Sequence, residues 1–366
     1  MKKLAIIGAN DFQQQLILKA KEMGLETHVF AWEEGAVGKT DADFFYPISI
    51  VEKELILEKC RQIGIDGICS IASDLAVLTV DYVAEKMKLN ANSIECSEIA
   101  TNKFAMRNAF KQNGDPIPKF IMVSEHELLN ISDFSFPLIV KPTDRSGSRG
   151  ITKITDTSQL PNAIKEACSE SFEHKAMIEE FVEGKEYSVE CISFHGKHTF
   201  LAITEKITTG APHFIETGHN EPAQLNVKII DRIKSIVYHA LSSLKITEGA
   251  SHSEIKIDDN GNIKIIEIGS RMGGDCIGSD LVRISTGYDF TRMVIEVALG
   301  YKPSFNKIVK PKQAAVRFIF TEDDKTECEN MIKNGWELER KYIEREFDGH
   351  LITDSSNRYG YYIMKK

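Results

Sequence analysis

Residues 253–268 read SEIKIDDNGNIKIIEI, with two alternating apolar runs on either side of Asn260-Gly261. An Asn-Gly pair between such runs is the strongest short-range signal for a β-hairpin, and it favours a two-residue type I′ turn. Glu254 lies six residues before Asn260, and Glu267 lies six residues after Gly261. The sequence therefore predicts that these two glutamates face each other directly across the hairpin.

Two carboxylates at such close range repel each other, so the pairing destabilises the hairpin by itself. A hard divalent cation removes the conflict, because carboxylate oxygens are its preferred ligands. Other interpretations stay open: both side chains face water, a lysine neutralises them, or the register slips by one residue and separates them. Glu254 and Glu267 are therefore candidate metal ligands.

The chain beyond the hairpin is rich in glycine and contains one arginine. Residues 269–275 read GSRMGGD, which places Arg271 a few residues after the acidic pair. A flexible backbone and an arginine beside a cation site suit an anionic substrate or a phosphoryl group in transfer. The alternative is an ordinary loop with Arg271 on the surface.

The first 95 residues alternate short apolar runs with helical patterns. Strands are predicted at Leu4–Ile7, Thr27–Ala31 and Gly67–Ile71, and helices at Gln13–Met23 and Lys53–Ile63. This βαβ rhythm predicts a parallel sheet covered by helices. A dinucleotide fingerprint after the first strand would need glycines two and five positions beyond Gly8, but Asn10 and Gln13 stand there. The pattern therefore argues against NAD binding.

A predicted helix at residues 97–112 ends at the breaker cluster Asn113-Gly114-Asp115-Pro116 and marks a junction. Beyond it, a strand at residues 136–142 contains Lys141 near its end, and the Ser/Gly-rich loop SGSRG follows at residues 146–150. Small residues let backbone N–H groups approach phosphate oxygens, and a lysine supplies a point charge. The pair has the chemistry of a phosphate clamp without the order of a Walker A loop; a plain mobile hairpin is the alternative.

An acidic crossing segment, EEFVEGKE at residues 179–186, joins predicted strands at Lys175–Glu180 and Tyr187–Ser193. Such a hinge offers backbone groups to an adenine edge and a carboxylate to ribose hydroxyls. The alternative is an acidic surface loop. A later helix is predicted at residues 228–244, and strand patterns after residue 310 read as a closing sheet.

Composition excludes several classes of protein. The net charge of −9 argues against a nucleic-acid partner, which requires a basic face. The sequence has no run of about 18 apolar residues, so no membrane span is expected. Its seven cysteines are scattered without a CxxC pair, which favours reduced thiols and a cytoplasmic location.

The order of these motifs resembles the ATP-grasp superfamily, whose two α+β lobes hold ATP between them. The match runs from about Asn102 to Asp280, and the first 95 residues resemble the Rossmann-like pre-ATP-grasp domain. The resemblance implies an α/β and α+β fold. Its expected parts are the pre-ATP-grasp domain at 1–95, a small lobe at 115–182, and a large lobe at 96–114 and 183–366 that includes the C-terminal sheet.

The resemblance also implies roles for individual residues. Lys103 and Lys141 correspond to lysines on the ATP phosphates, and Ser146, Gly147 and Ser148 belong to a loop that covers them. The adenine hinge corresponds to Glu179, Phe181 and Val182, and the ribose acid to Glu186. Glu254 and Glu267 match carboxylates that bind Mg²⁺, for which Mn²⁺ is an alternative. Arg271 matches the arginine that steadies the acyl phosphate, and with Lys141 it forms the expected catalytic set.

Within the superfamily, the chain most resembles carboxylate-amine ligases related to bacterial L-amino acid ligases. The substrate side then comprises Glu205, His219, Arg271 and Gly274, with His219 or Glu205 as the acceptor of the amine's proton. Many members carry an asparagine as a further metal ligand where this chain has Gly269.

The implied reaction joins a small-molecule carboxylate to an amine through an acyl phosphate and releases ADP and phosphate. A carboxylase or carbamoyl-type enzyme on a small metabolite is the alternative, and a non-catalytic nucleotide-binding module is the alternative from another class. A homodimer is compatible with the sequence.

Overall fold

The computed structural model describes residues 1–125, 127, 130–145, 149–211, 214–343, 347–349 and 358–366. In this part of the chain the strands form three sheets, one in an N-terminal unit, one in a small lobe and one in a large lobe. The helices cover these sheets. The seven cysteines are all buried and carry free thiols. Among the described residues, no helix is long and apolar enough to cross a membrane.

The N-terminal unit has a parallel four-stranded sheet in the order β3-β2-β1-β4, which confirms the predicted sheet type. Apolar side chains fill both of its faces, as is usual for parallel sheets. Its strands and helices are β1 (Lys3–Ile7), α1 (Asp11–Glu22), β2 (Glu26–Phe30), β3 (Phe44–Tyr46), α2 (Lys53–Ile63), β4 (Gly67–Cys69) and α3 (Asp74–Met87).

The side chain of Gln13, from helix α1, fills the turn that follows β1. Gly8 adopts a φ of +102°, and a Cβ at this position would lie 3.0 Å from Gln13 Cδ. The Gln13 amide donates a hydrogen bond to the Ile71 carbonyl at 2.7 Å. Gln13 thus occupies the space where a dinucleotide fingerprint would need a glycine.

The prediction of a single helix at residues 97–112 is wrong. The chain forms two helices here, α4 (Ile94–Thr101) and α5 (Lys103–Asn113). Asn102 separates them. Its backbone is extended, and its side chain accepts hydrogen bonds from the Phe104 and Ala105 N–H groups. An asparagine N-cap stabilises a new helix start. Lys103 therefore lies at the first turn of α5 rather than within a continuous helix.

The small lobe consists of an antiparallel sheet in the order β5-β8-β6-β7 with one helix packed on it. Leu138, Val140, Ile164 and Ile178 are among the residues of its core. Its elements are β5 (Phe120–Ser124), β6 (Leu138–Pro142), β7 (Thr152–Ile154), α6 (Leu160–Glu170) and β8 (Lys175–Glu180).

The large lobe has an eight-stranded antiparallel sheet in the order β13-β12-β9-β10-β11-β14-β16-β15. The strands from the end of the chain extend this sheet, so the predicted closing sheet is continuous with the rest of the lobe. Its strands are β9 (Lys185–Phe194), β10 (Lys197–Thr208), β11 (Glu216–Glu221), β12 (Gly249–Ile257), β13 (Ile263–Gly269), β14 (Ala314–Ile319), β15 (Glu337–Ile343) and β16 (Gly360–Lys365). Its helices are α7 (Val227–Ser243), α8 (Val282–Thr286), α9 (Phe290–Ala298) and α10 (Glu322–Lys333).

A helix of the large lobe completes the N-terminal unit. Helix α9 packs beside α1 against the parallel sheet, and Phe290 and Met293 enter the core that the two units share. At Gly67 the approach is so close that a Cβ would lie 2.7 Å from the Ala298 carbonyl oxygen. This contact fixes the N-terminal unit against the large sheet. It also holds the loops of the N-terminal unit over the cleft between the small and large lobes.

A buried acid on β11 is expected to make stability depend on pH. Burial raises the pKa of Glu221 from 4.5 to about 7, although Thr204 and Ser285 donate hydrogen bonds to it. The protonated form therefore stabilises the fold fully below about pH 4.5, and this contribution of about 3 kcal/mol is lost as the pH rises through 7. The Glu221→Gln variant should lack this loss, so in urea unfolding its stability relative to wild type should rise between pH 5 and 8. A constant difference across that range would contradict the assignment.

Candidate active site

The two glutamates predicted to oppose each other do so: Glu254 on β12 pairs directly with Glu267 on β13. The predicted two-residue turn is wrong. The Asp258 N–H donates to the Asn262 carbonyl at 3.1 Å and Gly261 has a φ of +77°, which is the geometry of a three-residue loop. That loop shifts the register by one residue, and a bulge in the pairing between Glu254 and Ile255 shifts it back. The two deviations cancel.

Each of these glutamates is neutralised by a lysine from another element. Glu254 accepts a hydrogen bond from Lys206 Nζ at 2.6 Å, and Glu267 accepts one from Lys103 Nζ at 2.8 Å. Burial alone would raise the pKa of Glu254, but Lys206 and His252 hold it well below its usual range. Neutralisation by a lysine, one of the alternatives that the sequence left open, is thus present at both glutamates. Glu254 stays ionised.

These donors fit a divalent cation only in part. Two opposed carboxylates supply the oxygen ligands that Mg²⁺ prefers. Within the described ranges, no group of three or more His, Cys, Asp or Glu side chains is arranged to hold a metal ion. Gly269 adds no side chain after Glu267. A cation at the pair would therefore need further ligands from a nucleotide's phosphates and from water.

The glutamate pair faces a cleft of about 1090 Å³ between the small and large lobes, called here the first chamber. It brings together most of the predicted nucleotide and metal residues. Those that line it are Lys103, Lys141, Glu179, Phe181, Val182, Glu186, Glu254, Glu267 and Arg271.

The two lysines expected on ATP phosphates are both buried at one end of the first chamber. Lys103 opens α5, and its Nζ donates to Glu267 and to the Arg145 carbonyl at 2.7 Å. Lys141 lies on β6 with its Nζ 2.6 Å from Glu179. Burial lowers the pKa of Lys141, although Glu179 opposes this effect. The arrangement concentrates positive charge next to the paired glutamates.

The side chain of Glu179, a residue predicted in the adenine hinge, is held by ion pairs. Its carboxylate is buried and paired with Arg107 as well as with Lys141. Burial alone would raise the pKa of Glu179, but Arg107 and Lys141 hold it below its usual value. The Glu179 side chain therefore holds Lys141 in place, and the contact of the hinge backbone at Glu179 with an adenine edge stays a prediction.

The loop residues expected to cover the phosphates, Ser146, Gly147 and Ser148, lie outside the described residues. Their neighbour Arg145 lines the first chamber, and its guanidinium lies 4.5 Å from the centre of the Phe172 ring.

The opposite end of the first chamber is apolar and aromatic. Phe181 follows β8, and its ring centre lies 5.9 Å from that of Phe214. The Val182 carbonyl accepts a hydrogen bond from Lys256 at 3.2 Å. Further apolar side chains come from both lobes, which makes a slot suited to a flat ring; they are Pro118, Ile139, Ile151 and Ile266.

Arg271 is fixed by a residue of the N-terminal unit. Its Nε and Nη2 donate to the two oxygens of Asp74 at 2.8 and 3.1 Å. Burial alone would raise the pKa of Asp74, but Arg271 lowers it below its usual value. A two-point arginine–carboxylate pair fixes the plane of the guanidinium as well as its position. Sequence analysis missed Asp74, because only the packing of the two units brings it to Arg271.

A second chamber of about 730 Å³ lies on the far side of Arg271. The residues that it shares with the first chamber are Asp74, Lys206, Glu216, His252, Glu254 and Arg271. His219 and Gly274, predicted on the substrate side, line this chamber. Asp275 is an acid in its wall that is not part of the described lining of the first chamber. The two chambers thus meet at Arg271 and Lys206.

The position of Glu205 differs from the one expected of a substrate residue. Side chains alternate along a strand, so Glu205 and Lys206 on β10 point to opposite faces. Lys206 enters the cleft, whereas Glu205 pairs with the exposed Lys185 at 3.2 Å. The described lining of neither chamber includes Glu205.

Lys206 is a further enclosed cation of the site, and no role was predicted for it. Its side chain is 4% exposed and lies 2.8 Å from Glu186, 3.4 Å from Glu216 and 2.6 Å from Glu254. Burial alone would lower its pKa, but these carboxylates hold the pKa of Lys206 well above its usual range. Glu186, predicted on ribose, therefore also anchors Lys206.

His252 is a further residue that sequence analysis missed. It forms an ion pair with the buried Glu190, and its Nε2 lies 3.4 Å from Glu254. Burial alone would lower its pKa, but Glu190 raises the pKa of His252 to about 9. The pattern that could have indicated Lys206 and His252 is the alternation of side chains along a strand. His252, for example, precedes Glu254 by two positions on β12 and therefore lies on the same face of the sheet.

Comparison with known families agrees with this geometry. A family model described as the ATP-grasp domain matches residues 134–279, which include most of the small lobe and the glutamate pair. Residues 134–279 are thus an ATP-grasp domain. The fold of the whole chain is also found in a solved structure: an L-amino acid ligase from Bacillus licheniformis superposes with a TM-score of 0.82 at 23% identity, covering 100% of this chain and 93% of that one.

Two curated relatives place the ATP-grasp domain among known enzymes. Alanine–anticapsin ligase of Bacillus subtilis is 26% identical over 71% of this chain. The carbamoyl phosphate synthase large chain of Thermotoga petrophila is 25% identical over 72% of this chain and 25% of its own length. The chain spans 62% of the length of alanine–anticapsin ligase.

Proposed function

We propose that this ATP-grasp protein is an ATP-dependent carboxylate-amine ligase that forms a carbon–nitrogen bond through an acyl phosphate and releases ADP and phosphate. One observation carries the proposal. Lys103, Lys141, the Glu254–Glu267 pair and Arg271 follow one another along a continuous cleft that opens into a second chamber.

The first chamber suits the activation of a carboxylate. Bound Mg-ATP would supply the phosphoryl group and the metal charge that such a transfer requires. Lys103 and Lys141 would hold phosphate oxygens, while Glu254 and Glu267 would hold the metal ion. The two lysines are buried, and the two glutamates are half-buried and held by ion pairs, so these charges are positioned before the reaction and act on the transferring group at little cost of reorganisation. The slot beside Phe181 would take the adenine.

Arg271 lies where the two chambers meet, which suits a residue that contacts both the activated acid and the incoming amine. Asp74 fixes its guanidinium, so the positive charge is already oriented when negative charge develops on the acyl group. The amine would approach from the second chamber. Of the two proton acceptors expected from the sequence, only His219 lines that chamber.

The names of similar proteins support the same reaction class. Alanine–anticapsin ligase and L-amino acid ligase are both named as ligases of amino acids. The resemblance to a carbamoyl phosphate synthase large chain keeps one alternative, a carboxylase or carbamoyl-type reaction that uses bicarbonate. The choice of Mg²⁺ over Mn²⁺, a homodimer and a cytoplasmic location remain predictions.

Phosphate release from Mg-ATP, measured against amino acids singly and in pairs and against bicarbonate, tests the proposal. We expect release to depend on a carboxylate and to rise several-fold only when a suitable amine is also present. Stimulation by bicarbonate alone would favour the carbamoyl-type alternative. Nucleotide binding without hydrolysis under any combination would show a non-catalytic module instead.

A further inference from the structure

The far end of the second chamber contains charged groups that nucleotide chemistry does not use. Asp275 adopts a φ of +51° and Cys276 a φ of +64°. Aspartate adopts the left-handed region more readily than most residues, but cysteine rarely does, and two consecutive non-glycine residues there are uncommon; such strain concentrates at functional sites. The strained turn places the Asp275 carboxylate in the wall of the chamber.

Arg358, from the end of the chain, fixes this carboxylate. Its Nη2 donates to Asp275 at 3.0 Å and to the Glu216 carbonyl at 3.2 Å. The guanidinium also lies 3.6 Å from the centre of the Phe318 ring. An arginine held on one side by an aromatic ring and on the other by an acid restricts the positions that Asp275 can take.

His219 lines the same end and is unsatisfied. The residue is 1% exposed, and neither ring nitrogen has a hydrogen-bond partner within the described part of the chain. Its Nε2 lies 3.8 Å from Asp275 Oδ2, beyond hydrogen-bond range. Burial lowers the pKa of His219, although Asp275 opposes this, so the ring is neutral and keeps an acceptor nitrogen. A buried polar group without a partner costs free energy that a ligand can recover.

The charges around this end leave an excess of carboxylates. The pairs Asp74–Arg271 and Glu190–His252 are neutral as pairs. Mg-ATP carries a net negative charge and does not correct the excess. Among the other charged side chains at this chamber, three carboxylates face two cations: Glu216, Glu254 and Asp275 against Lys206 and Arg358.

We propose that Asp275, Glu216 and His219 form a binding site for the ammonium group of a primary-amine substrate, an inference that rests on the proposed ligase function. An ammonium group has three N–H donors and no acceptor. Two carboxylates and one neutral imidazole nitrogen match those three donors and compensate the charge. The ammonium belongs either to the amine that is joined or to an amino acid whose carboxyl group is activated.

Direct binding tests the site without turnover. Isothermal titration in the presence of Mg-ADP would compare L-alanine with propionate, which lacks the ammonium group, and with ethylamine, which lacks the carboxylate. We expect wild type to bind at least one of the two ammonium compounds about ten-fold or more tighter than propionate. The Asp275→Asn variant should lose this preference, and Glu216→Gln should weaken it. Glu205→Gln, outside both chambers, is the matched acid-to-amide control.

Trapping with hydroxylamine identifies the source of the ammonium, because it intercepts an acyl phosphate without an amine substrate. If the ammonium belongs to the activated acid, Asp275→Asn lowers hydroxamate formation from L-alanine about 10- to 100-fold but not from propionate. If it belongs to the joined amine, hydroxamate formation is unchanged and amide formation falls by that factor.

Two results separate the ammonium site from the ligase reaction. Equal binding of all three probes by wild type, or an unchanged preference in folded Asp275→Asn and Glu216→Gln variants, would overturn the ammonium site. Absence of hydroxamate with any acid, while the binding preference persists, would overturn the ligase function and leave the ammonium site standing.

Discussion

Replacing Glu267 by Gln is expected to lower Mg-ATP-dependent turnover by about 1000-fold while the protein stays folded. The amide keeps the size of the side chain but removes half of the negative charge that the Glu254–Glu267 pair offers to a divalent cation. The Glu267 side chain is 30% exposed, so the amide finds water as a partner. Lys103 keeps its second hydrogen bond, to the Arg145 carbonyl.

ADP release and urea unfolding of the Glu267→Gln variant, measured side by side, check this expectation. Glu205→Gln is the matched control, because it makes the same chemical change on a strand face that points away from both chambers. ADP release at the wild-type rate from Glu267→Gln would disprove the metal assignment. A large loss of stability would show instead that the glutamate is needed for folding.

Replacing Arg271 by Lys is expected to lower kcat by about 100-fold or more, the second-largest effect. Lysine keeps the positive charge but cannot reproduce the two parallel hydrogen bonds to Asp74. The charge would then occupy several positions between the chambers instead of one. Because the loss concerns orientation during the reaction, KM for ATP should change little.

The Asp74→Asn variant separates orientation from charge. If Asp74 acts only through Arg271, the Asp74→Asn and Arg271→Lys changes should be strongly non-additive in kcat when combined. Arg61→Lys, on an exposed position of α2, is the matched control and should leave kcat unchanged. Additive effects of the two changes would contradict the positioning role of Asp74.

Local periodicity predicted much of the secondary structure. Helix α2 and strand β8 have the bounds that the sequence indicated, because apolar spacing and flanking glycines act over a few residues. The predicted helix at residues 97–112 failed where the Asn102 N-cap competes with helix continuation. Strand β11 was not predicted, because it is stabilised by pairing with β14, which is distant in sequence, as well as with β10.

The hairpin shows how a correct pairing can follow from an incorrect turn. Asn260-Gly261 suggested a two-residue turn, whereas Gly261 closes a three-residue loop. The bulge next to Glu254 restores the register. A bulge depends on how a strand curves within its whole sheet, so neighbouring residues alone do not encode it.

The sequence by itself determined the parallel N-terminal sheet and the facing of Glu254 and Glu267, and it supplied the residue types of the proposed nucleotide and metal site, including Lys103 and Lys141. These follow from patterns within single segments. Only the tertiary structure decided that Asp74 holds Arg271 and that Lys206 contacts three carboxylates. It also decided that Glu179 forms an ion pair with Lys141 and that Glu205 lies outside both chambers. Such contacts join residues tens to hundreds of positions apart, and their geometry depends on how the sheets pack rather than on local spacing.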